Sequence, residues 1–181
     1  VSRLGAISCK GTTVAERHGN PGPRVVETPS GILNSVGLQN PGVKSLLSTY
    51  LPWLKKQGAV VIANIAGHSL EDYIAMAEHM NGTAVDMVEL NISCPNVKEG
   101  GMSFGTSCDS VAAVTAAVKR RCDKPLMVKL TPNVTSIGDI AAAAEGAGAD
   151  AVSLINTLTG MRIDLRTRRP VLKNNTGGLS G

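Results

Sequence analysis

Aromatic side chains are scarce in this chain: Tyr50, Trp53, Tyr73 and Phe104 are the four in 181 residues. Stacking platforms for single-stranded nucleic acid need more, so a nucleic-acid partner is not expected. Long apolar runs are also missing. No stretch approaches the ~20 residues needed to span a bilayer, and Val1-Ser2-Arg3-Leu4 lacks the form of a signal peptide. Cysteine is sparse, at positions 9, 94, 108 and 122, with no C-x-x-C pair and no histidine near enough for a zinc pattern. No metal site is expected, and the thiols read as reduced cysteines of a cytoplasmic protein. P-loop, G-x-G-x-x-G, H-E-x-x-H and G-x-S-x-G motifs are absent. What remains is a mildly basic chain of net charge +4 with 43% hydrophobic residues, enough to build a core in one domain spanning residues 1–181.

Apolar runs and helical patterns alternate along it. Strands are expected at Leu4–Cys9, Ala59–Asn64, Asp86–Asn91, Pro125–Leu130 and Ala151–Ile155. Between them, Val43, Leu46, Leu47, Tyr50, Leu51 and Leu54 recur at helical spacing from Pro41 to about Gln57, with Pro52 placed to interrupt or kink the helix. Ser69-Leu-Glu-Asp72 is a capping box that opens a helix to about Met80. Val111, Val114, Thr115 and Val118 mark a helix ending near Cys122, and Ser136-Ile-Gly-Asp139 caps an Ala-rich helix to Gly146 or Gly148. Residues 17–31 suggest a loop with a small hairpin at Val25-Val26, residues 34–40 a polar loop, and residues 162–169 a basic loop that is either a solvated surface or a partner contact or a steering patch for an anionic substrate. Five strands alternating with four helices predict a parallel α/β sheet.

Every expected strand ends on a polar residue: Lys10, Asn64, Asn91, Lys129 and Asn156. An open doubly wound sheet gathers its functional groups at one switch point, whereas polar groups at every strand end point to a barrel. Several carboxamides match the edge of an imide or pyrimidine ring, and a lysine suits a carboxylate or an electron-rich ring oxygen. The run Glu89-Leu-Asn-Ile-Ser-Cys-Pro-Asn96 ends one strand in an amide, a hydroxyl, a thiol and another amide, before a Gly-rich stretch. Cys94 there suits an acid or base under a lid, or else is a small core thiol before a turn. A complete eightfold barrel takes ~250 residues. The start in a strand and the stop at Gly181 therefore suggest an incomplete barrel.

Asn91-Ile-Ser-Cys-Pro-Asn96 followed by Gly100-Gly-Met-Ser-Phe-Gly105 resembles the active-site strand and loop of class 1 dihydroorotate dehydrogenases. Four further stretches agree in order: Lys10–Thr13 with Arg17–Arg24; Asn34–Leu38; Val128–Pro132; and Ile155–Thr157 with Gly177–Gly181. The resemblance implies a (β/α)8 TIM barrel holding FMN, of which this chain supplies about strands 2 to 6. It implies that Cys94 removes a proton from C5 of dihydroorotate while hydride leaves C6 for the flavin. Lys10 would touch both substrate and FMN. Asn34, Ser35, Val36, Gly37, Leu38, Asn91, Asn156 and Thr157 would hold the pyrimidine. Gly11, Asn64, Asn91, Lys129, Ile155 and Gly181 would contact FMN.

The loop Val97–Gly105 resembles the NAD-linked class 1B branch and lacks the Pro-Gly-Lys-Pro-like loop of the fumarate-linked branch. That branch implies a partner subunit carrying FAD and a [2Fe-2S] cluster, and a homodimer of catalytic subunits within a heterotetramer. The flavin domain of dihydropyrimidine dehydrogenase is the alternative enzyme; it carries His where this chain has Asn96. An inactive barrel piece is the non-enzyme alternative, with poor FMN binding expected of residues 1–181 alone.

Overall fold

The computed structural model describes residues 3–93 and 104–181. Cys94, Asn96 and most of the glycine loop, on which several sequence expectations fall, lie outside the described residues.

Five parallel strands form the central sheet in the order β1-β4-β5-β6-β7. They are β1 (Ile7–Ser8), β4 (Val61–Ile65), β5 (Met87–Asn91), β6 (Leu126–Lys129) and β7 (Ala151–Ser153). The register runs Ile7↔Val61, Ala63↔Val88, Asn91↔Lys129 and Lys129↔Ser153 along the successive pairs. Each crossover carries a helix, and the one from β1 to β4 carries a hairpin as well. Side chains alternate across the sheet with a period of two. Val61, Ala63, Ile65, Val88, Leu90, Leu126 and Val128 point to one face and are fully buried in the core. The other face carries Ser8, Asn64, Glu89, Asn91, Lys129 and Ser153.

The core face is covered by α1 (Gly42–Ser45), a π-helical segment Leu46–Tyr50 and α2 (Leu51–Lys56), then by α3 (Leu70–Met80), α4 (Cys108–Lys119) and α5 (Ile137–Gly146). Tyr73, Met76, Met80, Val111, Val114, Val118, Ile140 and Ala144 supply their buried stripes. Pro52 does not end the first helix. Its missing N–H cannot bond back into the preceding turn, and the wider π turn that ends at Tyr50 absorbs the mismatch. Serine caps start the three later helices. Ser69, Ser107 and Ser136 accept from the N–H three residues on, at 3.1, 3.2 and 3.4 Å, each worth ~1 kcal/mol. Asp72 bonds the N–H of His68 at 2.9 Å rather than that of Ser69, so the expected box closes one residue early. A parallel sheet with helices on one face and a polar layer on the other is a curled part of a (β/α) barrel.

The ends of the barrel strands differ from expectation. β1 is confined to Ile7–Ser8, because Leu4 is 61% exposed and packs into no core. β7 stops at Ser153, and Leu154 and Ile155 are exposed.

A second sheet was not expected. β2 (Val25–Thr28) and β3 (Gly31–Asn34) form the anticipated hairpin, but β3 runs on to Asn34, and its far edge pairs with β11 (Gly177–Ser180). β8 (Leu158–Gly160) completes the antiparallel order β2-β3-β11-β8. The terminal Gly-rich segment is thus a strand. The arginine-rich loop is also structured: β9 (Ile163–Asp164) pairs with β10 (Arg169–Pro170), and Asp164 accepts from the N–H groups of Arg166 and Thr167 at 2.8 and 3.0 Å. The four-stranded β2-β3-β11-β8 sheet walls one side of the site through Asn34, Thr159, Gly177 and Gly178.

Candidate functional site

A cleft of about 750 Å³ opens where the C-terminal ends of the barrel strands meet the β2-β3-β11-β8 sheet. Lys10, Asn64, Asn91, Lys129 and Asn156 all line it: the middle three from β4, β5 and β6, and Lys10 and Asn156 from just beyond β1 and β7. The parallel register brings them together, since every strand delivers its C-terminal end, or the residues that follow it, to the same side.

The Asn34–Leu38 segment forms the opposite wall. Asn34 ends β3 and reaches Gly178 O at 3.4 Å, and its Oδ1 takes the Val36 N–H at 3.5 Å. Asn20, which also lines the cleft, holds the segment by donating to Ser35 O at 2.9 Å. Gly37 and Leu38 both have positive φ, 76° and 55°, which turns the wall back toward the barrel. Asn156 donates to Asn91 Oδ1 at 3.2 Å, while its own oxygen takes the Thr157 N–H at 2.8 Å. With its oxygen so engaged, Asn91 is left with its NH₂ group as a donor. Ser93 bonds back to Lys129 O at 3.0 Å, and Tyr73 OH donates to Asn91 O at 2.9 Å. Tyr73 also meets Phe104 edge-on, with centroids 5.6 Å apart. Helix α3 thereby braces the strand end just before the segment containing Cys94.

Below this rim lies a layer that sequence reasoning did not assign. Glu89 is 5% exposed on β5. Its carboxylate accepts from Ser153 at 2.7 Å, from Ser8 at 3.0 Å and from the amide of Asn64 in a short contact. Burial opposes its charge, but the Ser153 and Asn64 hydrogen bonds and the field of Lys129 outweigh that and hold the carboxyl below its ordinary range. Glu89 precedes Asn91 by two residues, so strand alternation alone could have placed it on the same face. Asn64 spends its NH₂ on Glu89, which leaves its Oδ1 buried and without a partner. That oxygen faces Gly11, where a Cβ would lie 3.0 Å away. An unmet acceptor beside a space that only glycine leaves open is a place for a ligand's hydrogen-bond donor.

Of the residues named from the sequence, Ile155 and Gly181 do not line the cleft. Ile155 lies just beyond β7. Gly181 follows β11 and sits against Ser30 and Gly31 of the β2–β3 turn. Ser93, Thr131, Asn133, Thr159, Thr176 and Gly178 do line it and were not singled out. Among the described residues, no group of His, Cys, Asp or Glu could hold a metal, and no helix is long and apolar enough to cross a membrane.

The cleft therefore offers two cations, several carboxamides and a buried orphan acceptor. It suits a flat, polar heterocycle with an anionic substituent. The dihydroorotate dehydrogenase family model matches residues 1–181. The chain is 56% identical over 182 residues to the catalytic subunit of dihydroorotate dehydrogenase B (NAD(+)) from Desulforamulus reducens, covering 100% of this chain and 60% of that protein. It is 54% identical to the protein of that name from Anoxybacillus flavithermus, covering 100% of this chain and 58% of the relative. A Geobacillus protein of the same name is 53% identical over the same shares, 100% and 58%. The chain thus spans about three-fifths of the length of these relatives.

Proposed function

Because the chain belongs to the dihydroorotate dehydrogenase family, we propose that it is catalytic-subunit material of an NAD-linked enzyme that oxidises (S)-dihydroorotate to orotate in pyrimidine synthesis. The observation that carries this reading is the convergence of Lys10, Asn64, Asn91, Lys129 and Asn156 on one cleft. Carboxamides in that number match the two amide edges of the dihydropyrimidine ring, and a lysine matches its carboxylate.

FMN is the cofactor that the residues suit. The buried Asn64 oxygen awaits a donor, Gly11 leaves room for a ring to approach, and Lys129 offers a positive charge. Bound there, FMN would supply a hydride acceptor. Asn64, Lys129, Lys10 and Gly11 would hold it. Ile155 and Gly181 lie off the cleft, and their proposed contacts with FMN draw no support from its lining.

The chain's own residues would do the rest. Lys10, exposed at the mouth, would take the substrate carboxylate. Asn91, its oxygen held by Asn156, would donate to a ring carbonyl, and Asn34 and Thr157, which flank Gly178, would hold the ring from the side of the second sheet. Cys94 would take the proton from C5; it follows Ser93, whose bond to Lys129 O ties that strand end to β6. A partner subunit bearing FAD and a [2Fe-2S] cluster would pass electrons to NAD, and catalytic subunits would pair within a heterotetramer.

The test is steady-state turnover of protein of the relatives' full length, purified with a co-expressed partner. Dihydroorotate should drive NAD reduction, and orotate should perturb the bound flavin's absorbance. Turnover only with fumarate would move the protein to the other branch. Absence of an orotate effect would remove the substrate assignment.

A further inference from the structure

We propose that Glu89 is a positioning residue of this site: its carboxylate sets the direction of the Asn64 amide and offsets the charge that Lys129 presents to the cofactor. The proposal rests on the FMN reading given above.

Three observations carry it. First, Glu89 draws donors from three other strands into one layer: Ser8 from β1, Asn64 from β4 and Ser153 from β7. A carboxylate buried to 5% exposure is costly unless paired and fully hydrogen-bonded, so this arrangement is too expensive to be filler. Second, the Asn64 side chain could present either its NH₂ or its oxygen to the cleft. An ionised Glu89 accepts and cannot donate, so it takes the NH₂ and leaves Oδ1 as the exclusive offering toward Gly11. Third, Lys129 lines the cleft from the adjoining strand β6 and lies within the field of Glu89. A cation beside a flavin favours the anionic reduced form, and a buried anion beneath that cation weakens the effect.

The consequence is a flavin less oxidising than Lys129 alone would make it. In full-length protein loaded with FMN, Glu89→Gln removes the negative charge and keeps the shape. It should raise the flavin midpoint potential, with about a tenfold change in the reduced-to-oxidised ratio, or ~30 mV for a two-electron couple. Lys129→Met alone should shift the potential the opposite way, and the double variant should fall between the two single variants, because the opposed charges add at the flavin. Glu89→Asp keeps the charge but withdraws it by one methylene, and should give a smaller rise. It serves as the sole readout should the glutamine variant not fold.

FMN should also dissociate faster from Glu89→Gln, since an amide at position 89 no longer dictates which way Asn64 points. A potential equal to wild type in whichever of these Glu89 variants folds would overturn the role of Glu89 while leaving the FMN reading intact. Wild-type protein that binds no FMN would overturn that reading and this proposal with it.

Discussion

Asp150 makes at the foot of β6 the contact that Asp86 makes at the foot of β4. Each carboxylate accepts the first N–H of its neighbouring strand, Leu126 or Val61, at 2.7 Å. Each also pairs with a lysine of the preceding helical segment, Lys119 at 2.5 Å and Lys55 in a short contact. The lysine bond first, and then the backbone N–H, hold both carboxyls below the ordinary aspartate range. The repeat clamps the closed end of the barrel, away from the cleft, and frees the other end for chemistry.

The clamps should be felt in stability rather than in turnover. Asp86→Ala and Asp150→Ala should each cost ~1 kcal/mol, mostly from the N–H left without its partner, since half-exposed ion pairs with lysine add little. The native carboxyls are depressed. Their contribution is therefore complete above the unfolded aspartate range near pH ~4 and is lost as pH falls through the lower native values. Urea unfolding between pH 7 and pH 3 should show a shallower acid loss in the double variant than in wild type. Parallel curves would mean that the clamps carry no linked protons.

Gly178 is where the second sheet meets the site. A Cβ there would fall 1.9 Å from Thr157 Oγ1, so Gly178→Ala must push Thr157 or β11 out of place. Orotate affinity should fall about tenfold, the loss of one good contact, and FMN should stay bound. Isothermal titration of the flavin-loaded variant with orotate measures this, and wild-type affinity would remove Thr157 from the substrate wall.

Cys94→Ser should cut turnover at neutral pH by roughly 10²–10⁴-fold, because a hydroxyl is a far weaker base than a thiol. Orotate binding should survive. Undiminished turnover would take Cys94 out of the proton step.

Lys129→Ala should lower the flavin midpoint potential, since the reduced form loses a neighbouring cation. Redox titration with reference dyes reads the change. An unaltered potential with FMN in place would mean that Lys129 does not face the flavin.

The barrel strands and their helices were legible because burial stamps simple periods on them. Val88 and Leu90 point one way and Glu89 and Asn91 the other, while α3 repeats Tyr73, Met76, Ala77 and Met80. The strand-end polar set was legible for the same reason. The second sheet was not. β11 reads Gly-Gly-Leu-Ser, and glycine is a poor strand former. It is tolerated here because Gly178 lies too close to Thr157 for any side chain, a tertiary demand with no local signature. Glu89 was hidden differently: a lone acid between Val88 and Leu90 acquires meaning when Ser8, Asn64 and Ser153 arrive from distant strands.

The most direct test is anaerobic mixing of full-length protein with (S)-dihydroorotate while the flavin absorbance near ~450 nm is followed, at substrate levels in the usual micromolar-to-millimolar KM range. The account predicts rapid bleaching with stoichiometric release of orotate, and slow bleaching in Cys94→Ser. A flavin that stays oxidised with dihydroorotate, yet bleaches with another reduced pyrimidine or with a nicotinamide dinucleotide alone, would contradict it.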